Sequence, residues 1–236
     1  MTQTAIDLGA ERLIVGRTPW CATRNGAVVG TLQDRDLSRI VELRPSLVLV
    51  QASELDRDLE HATHRVGAHV LLQHVDRLED ILVMAQALAE QLDQAGVPDA
   101  LRRLAEIKLQ FEAGRELGRP AVTGAGRTLL LFAADPPTAF GGGTYVDDLW
   151  QSMGGVNTVS RTGYPELSLE DIVRMDPERI LLIRSTPGPA SDALHALPQR
   201  LRARVRVCHA PVLLDPSTAF LRQGPSELQR AAEANP

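Results

Sequence analysis

Two stretches of this chain say nearly the same thing. Asp36 to Val50 reads DLSRIVELRPSLVLV and Ser168 to Leu182 reads SLEDIVRMDPERILL, 132 positions later. Aligned without a gap, Leu37 meets Leu169, Ile40 meets Ile172, Val41 meets Val173, Leu43 meets Met175 and Pro45 meets Pro177. Asp36 and Ser168 can each cap a helix whose apolar positions recur at three- and four-residue spacing. A proline then ends that helix. The apolar runs LVLV and RILLI are too short for helices and suit strands covered on both faces. A helix followed by a parallel strand, written twice, predicts two similar α/β halves.

The length agrees, since 236 residues hold two lobes of roughly 100 residues each. The 25 Lys and Arg against 30 Asp and Glu give a net charge of −5, and the chain has only 2 Trp, 2 Tyr and 4 Phe. With no basic block and few stacking rings, a nucleic-acid surface is excluded. No run approaches the roughly 18 apolar residues of a membrane span, and MTQTAIDLGAERL has no basic segment leading into an apolar one. As written, then, no export signal is expected. Cys21 and Cys208 permit one disulfide without requiring it.

Along the chain, residues 1–75 predict an N-terminal α/β lobe: a helix ending near Gly9, a strand in RLIVG, a long loop, the first repeat copy, a helix through ELDRDLEHATHRV and a strand in HVLLQ. Residues 76–118 keep a helical stripe interrupted only at Gly96, Val97 and Pro98, with Pro98 placed to begin the second helix. From Asp99 to Leu117 that helix would run about 28 Å. Residues 119–236 predict the C-terminal lobe: a strand in TLLLFA, the glycine loop FGGGTY, the helix YVDDLWQSMGG, a short strand near NTV, the second repeat copy, a helix through DALHAL, a strand in VRVC and a closing helix in PSELQRAAEA.

The segments GRTPWC, VGTLQDRDLSRIVELRPSLVLVQ, GGGTYVDDLWQSMGGVNTV and YPELSLEDIVRMDPERILLI together resemble the helical-backbone (class III) solute receptors of ABC importers, the cobalamin, haem and ferric-siderophore receptor family. The resemblance covers nearly the whole chain in order. It implies two Rossmann-like lobes with parallel sheets joined by a long backbone helix, a metal chelate held between the lobes, no cofactor of the protein's own, and an ABC permease with its ATPase subunits as partners. It also implies a monomer in the periplasm or a cell-surface lipoprotein, a cytoplasmic chain being the alternative if no signal is present. One departure stands out. The family places a strand and a Pro-Ser step before its first helix, whereas here Met1 stands at the helix start. The N-terminal lobe is therefore expected to have one parallel strand fewer than its partner, or the start is drawn too late.

Ligands of open parallel sheets sit outside the carboxyl ends of the strands. The loops concerned are Arg17 to Cys21 and Gln51 to Glu54 in the first lobe, and Asp135 to Tyr145, Arg161 to Tyr164, Arg184 to Thr186 and Cys208 to Pro211 in the second. Trp20 and Tyr164 are ring candidates in polar loops. Gly142, Gly143, Thr144 and Tyr145 open a helix where backbone amides can approach an anionic group, or simply make a turn. No Walker loop or G-x-G-x-x-G is present. Cys21, Gln51, Arg184 and His209 complete the expected ligand contacts, with Cys21, Cys208 and His209 also weighed as soft metal donors. No catalytic constellation appears, so no enzyme is expected, with a chelatase-like enzyme the alternative by fold analogy. Aromatic poverty, with Leu32 and Gln51 at GTLQD and VLVQA, sets a siderophore beside a corrinoid. The resemblance further implies permease docking through an acidic residue at the start of the repeated helix. In the second copy this is Glu170; in the first it is Ser38, leaving Asp36 or Asp34 as substitutes.

Overall fold

The computed structural model describes residues 1–31, 34–52, 55–186 and 192–233. Leu32, together with Ser53 and Glu54 of the predicted Gln51 to Glu54 ligand loop, lies outside them. The chain divides into two compact units, Met1–Val75 with Asp80–Glu106, and Asp76–Glu79 with Ile107–Pro236.

The N-terminal unit begins with α1 (Thr2–Asp7), followed by a 3-10 turn at Glu11–Leu13. Two-residue strands β1 (Gly16–Arg17) and β2 (Ala27–Val28) then pair in parallel. The first repeat copy supplies α2 (Leu37–Leu43) and β3 (Leu47–Val50); after α3 (Arg57–Val66) comes β4 (His69–Leu72), parallel to β3 in register Leu47 to His69. Strand alternation sorts the side chains. Leu47, Leu49 and Leu71 pack on a cluster containing Leu8, Leu88, Leu92 and Leu104, while Val48, Val70 and Leu72 pack with Ile40, Val50 and Leu59. The described strands of this unit thus form two separate pairs, β1-β2 and β3-β4.

Two helices follow, α4 (Leu78–Gln94) and α5 (Ala100–Thr123). The second starts after Asp99 in a left-handed conformation, φ 63°, so Pro98 sits in the preceding turn rather than inside the first helical turn. It also runs past the expected end at Leu117, through Gly118 and Pro120. Pro120 lies on the exposed side, where water can take the carbonyl that loses its donor. On the other side Gly114 and Gly118 form a small-residue face: a Cβ at Gly118 would come 2.3 Å from Met153 Cε, and one at Gly114 would come 3.2 Å from Pro225.

The C-terminal unit contains β5 (Arg127–Ala134), β6 (Pro137–Ala139), α6 (Tyr145–Ser152), β7 (Val156–Asn157), α7 (Leu169–Met175), β8 (Arg179–Arg184), α8 (Asp192–His195), α9 (Gln199–Arg202), β9 (Val205–His209) and α10 (Thr218–Glu233). Its sheet runs β6-β5-β8-β9, with β7 parallel to the first residues of β5 and β6 antiparallel to the last. β5, β8 and β9 are parallel. The run RILLI is buried as expected, Ile180 to Ile183 all being within 1 % of full burial. The repeat holds in atomic detail: α2 and α7 have equal length, each ends on a left-handed residue (Arg44 and Asp176), and Ile40 and Ile172 are their buried residues. The fold is α/β, with parallel sheets in both units and a long helix.

Candidate functional site

At the carboxyl end of β5 the chain turns back through β6 and then forms the glycine segment. A second stretch, residues 161–167, zips along it. Leu167 N–H donates to Pro137 O (2.8 Å), Ala139 N–H to Pro165 O (3.0 Å), Gly141 N–H to Gly163 O (2.8 Å), Gly163 N–H to Gly142 O (3.1 Å) and Gly142 N–H to Arg161 O (2.8 Å). Glycine is required at the centre, because a Cβ on Gly141 would lie 2.1 Å from the Arg161 carbonyl oxygen. Gly143 adopts φ 75°, a conformation that costs glycine little. Its N–H donates to Asp147 (3.2 Å), and Thr144 closes the turn with both its N–H and its hydroxyl on Gly141 O. The amides of Gly142, Gly143 and Thr144 are therefore engaged within the protein. What this segment does is carry the 161–164 loop.

That loop presents Tyr164. Its ring meets Phe132 edge-on at 5.8 Å and Phe140 at 6.0 Å, yet the residue remains 40 % exposed. Partial burial, aided by the Asp76 carboxylate, pushes its phenol up to about 12. Tyr145 has the opposite fate. Its ring is buried between Phe140 and Phe220, its hydroxyl donates to Leu213 O (3.1 Å), and burial raises its pKa far beyond the ordinary tyrosine range. Of the two tyrosines, only Tyr164 offers ring surface to a ligand.

Arg184 and His209 are paired neighbours at the ends of β8 and β9. The His209 ring contacts Ser185 O at 3.0 Å and the residue is exposed. Cys208, one residue earlier, points to the opposite face. Burial pushes its thiol up to about 11, with Glu227 of α10 adding and Arg230 opposing. Cys208 and His209 therefore do not converge, and among the described residues no group of three His, Cys, Asp or Glu side chains could hold a metal. In the N-terminal unit Trp20 is 77 % exposed and Gln51, just past β3, is exposed too. The Cys21 thiol lies 3.0 Å from Thr2 Oγ1 and 3.3 Å from Thr18 Oγ1. Both cysteines are free thiols.

The docking candidates sit at helix starts. Glu170 is exposed in the first turn of α7, whose cap is a reciprocal Ser168–Asp171 box. Asp36 is itself the cap of α2, accepting the Arg39 N–H at 2.9 Å. Ser38 and Asp34 are exposed nearby.

Asp147 and Asp148, adjacent acids in the first turn of α6, have separate roles that their common position at a helix N-terminus does not reveal. Asp147 is fully buried and accepts hydrogen bonds from Gly143 N–H, Gln151 Nε2 (2.7 Å) and Asn157 Nδ2 (2.8 Å). Asp148 binds Arg77 and the N–H of Leu78. The only sequence signal for the first was an acid four residues after the last glycine.

A fold of this kind, with parallel α/β sheets and a long helix, is that of the class III binding proteins. The haem-binding protein of Pseudomonas aeruginosa superposes with a TM-score of 0.73 at 20% identity, covering 98% of this chain and 88% of that one. The vitamin B12 binding protein BtuF of Vibrio cholerae gives 0.63 at 18% identity, over 99% and 94%. The triscatecholate siderophore binding protein FeuA of Bacillus subtilis, complexed with ferri-bacillibactin, gives 0.76 at 12% identity, over 99% and 89%. No curated protein sequence matches the chain. The periplasmic binding protein family profile matches residues 1–203, and the chain belongs to that family.

Proposed function

We propose that this chain is the substrate-binding component of an ABC importer and that it takes up a metal chelate, a corrinoid, ferric siderophore or haem, without catalysing a reaction. The observation that carries the reading is Tyr164: a half-exposed ring mounted on a hydrogen-bonded, glycine-dependent loop at the carboxyl end of a parallel sheet. Rigid mounting matters because an aromatic contact prepared before binding loses little conformational entropy on complex formation. Arg184 and His209, at the ends of adjacent strands, supply polar groups suited to a chelate's carboxylates or propionates. Trp20, Cys21 and Gln51 are proposed for the same role in the strand-end loops of the N-terminal unit. The metal would arrive inside the chelate, so the protein itself need supply no donor set for a bare ion.

Membership of the family supports a periplasmic or surface-tethered monomer that delivers its ligand to a permease through Glu170 and Asp36. Among the described residues no helix is long and apolar enough to cross a membrane.

The test compares the protein and its Tyr164→Ala variant against hemin, cyanocobalamin and a ferric tris-catecholate. Loss of the ring should weaken the bound chelate about tenfold, roughly 1.4 kcal/mol. Unchanged affinity in a folded variant would remove Tyr164 from the site.

A further inference from the structure

Two side chains hold the glycine segment, Asp147 and the half-buried Asn157. Asp147 is fully buried. Its Oδ2 accepts the Gly143 N–H (3.2 Å) and Gln151 Nε2 (2.7 Å), and its Oδ1 accepts Asn157 Nδ2 (2.8 Å). Asn157 Nδ2 also donates to the Phe140 carbonyl at 2.8 Å, while its Oδ1 receives the Val159 N–H at 3.1 Å. Both ends of the glycine triplet are thus gripped by one hydrogen-bonded pair, Phe140 by its carbonyl and Gly143 by its amide. Asn157 is in turn anchored in β7, paired with Thr128 at the start of β5.

Three further links complete the chain of contacts. The glycine segment holds residues 161–163 through the Gly141–Gly163 and Gly142–Arg161 hydrogen bonds. Phe140, the residue gripped by Asn157, packs its ring on Tyr164. Three successive glycines have little conformational preference of their own, so the geometry of this segment must come from what it is bonded to.

We propose that Asp147 and Asn157 are positioning residues for the ligand site: through the glycine segment and Phe140 they fix Tyr164 where it meets the chelate. The inference rests on the reading of Tyr164 as a ligand contact. Neither residue is expected to touch the ligand. Supporting residues of this kind set a site's geometry to within fractions of an ångström.

The chain offers a direct readout, because it contains only two tyrosines and Tyr145 is the buried one. Alkaline titration of absorbance near 295 nm therefore follows Tyr164 first, with Tyr164→Phe identifying the transition. In the wild-type protein that transition should fall at about 12. In folded Asp147→Asn and Asn157→Ala variants it should move toward the ordinary value near 10, and affinity for whichever of hemin, cyanocobalamin or ferric tris-catecholate the wild type binds should fall about tenfold. A folded variant of either kind with wild-type titration and affinity overturns the proposal. So does loss of the fold in both variants, as judged by far-UV circular dichroism, since the pair would then serve the core at large rather than the loop. Should Asp147→Asn alone fail to fold, Asn157→Ala decides. If the titration moves but no chelate binds the wild-type protein, the receptor reading fails while the role of the pair in fixing Tyr164 stands.

Discussion

Asp148 accepts two hydrogen bonds from the Arg77 guanidinium, from Nε at 3.2 Å and Nη2 at 2.9 Å, and a third from the backbone N–H of Leu78 at 3.1 Å. Leu78 is the first residue of α4. A carboxylate from the first turn of α6 thus caps a helix 70 positions earlier in the chain, and this ties Asp76–Glu79 to the C-terminal unit. Asp148→Ala should cost about 1–2 kcal/mol, the usual worth of a lost cap and its charge-assisted bonds. Arg77→Ala should cost under about 1 kcal/mol, since that side chain is 61% exposed and water screens it. Urea denaturation of the two variants measures the difference, and equal losses would contradict this division.

Such a contact marks the limit of what the sequence shows. The repeat was legible because each copy carries its own cap, apolar period, proline and strand, all local features. The extension of α5 past Leu117 was not, because Gly118 and Pro120 oppose a helix locally; Gly118 is fitted there by the close approach of Met153, and Pro120 sits on the exposed side where water can satisfy the freed carbonyl. Strand β6 has no local signature, because its pairing with β5 determines it. Within the site, Trp20 and Tyr164 could be singled out as rings in polar loops. The grip of Asp147 and Asn157 on the glycine segment exists only in three dimensions.

Left-handed residues end the helix of each repeat copy, Arg44 with φ 44° and ψ 54° after α2 and Asp176 with φ 41° and ψ 60° after α7. Glycine adopts this conformation without a Cβ penalty. Arg44→Gly should therefore raise stability by roughly 0.5–1 kcal/mol. Asp176→Gly should gain less, because its carboxylate pairs with Arg204 at 2.9 Å and Arg200 at 3.7 Å. Thermal unfolding of the two variants reads the contrast; a destabilised Arg44→Gly would contradict it.

Alkaline pH should weaken the fold. The Cys208 thiol rises from 9.0 to about 11 and the Tyr164 phenol from 10.0 to about 12. Both protons are held more tightly in the folded chain than in the unfolded one. Their contribution is complete below about pH 9 and is lost as pH climbs through the raised values. Denaturation midpoints should be flat near neutrality and fall above about pH 9, with Cys208→Ala removing the earlier part of the decline. A midpoint independent of pH up to about 11 would contradict the placement of both groups.

Glu170 and Asp36 differ in a way that bears on permease docking. Glu170 is exposed and makes no hydrogen bond or ion pair among the described residues, whereas Asp36 caps its own helix. Glu170→Arg should leave folding and ligand affinity unchanged and reduce transport in a reconstituted importer, most strongly at low salt. Asp36→Arg should reduce transport and also cost about 1 kcal/mol of stability. Normal transport by the Glu170→Arg protein would remove the docking assignment.

Whether this chain is a receptor for a metal chelate is decided by titration calorimetry of the wild-type protein with hemin, cyanocobalamin and a ferric tris-catecholate. At least one should bind one-to-one with a dissociation constant below about 10 μM, roughly −7 kcal/mol. Absence of binding by all three at that strength would contradict the receptor reading.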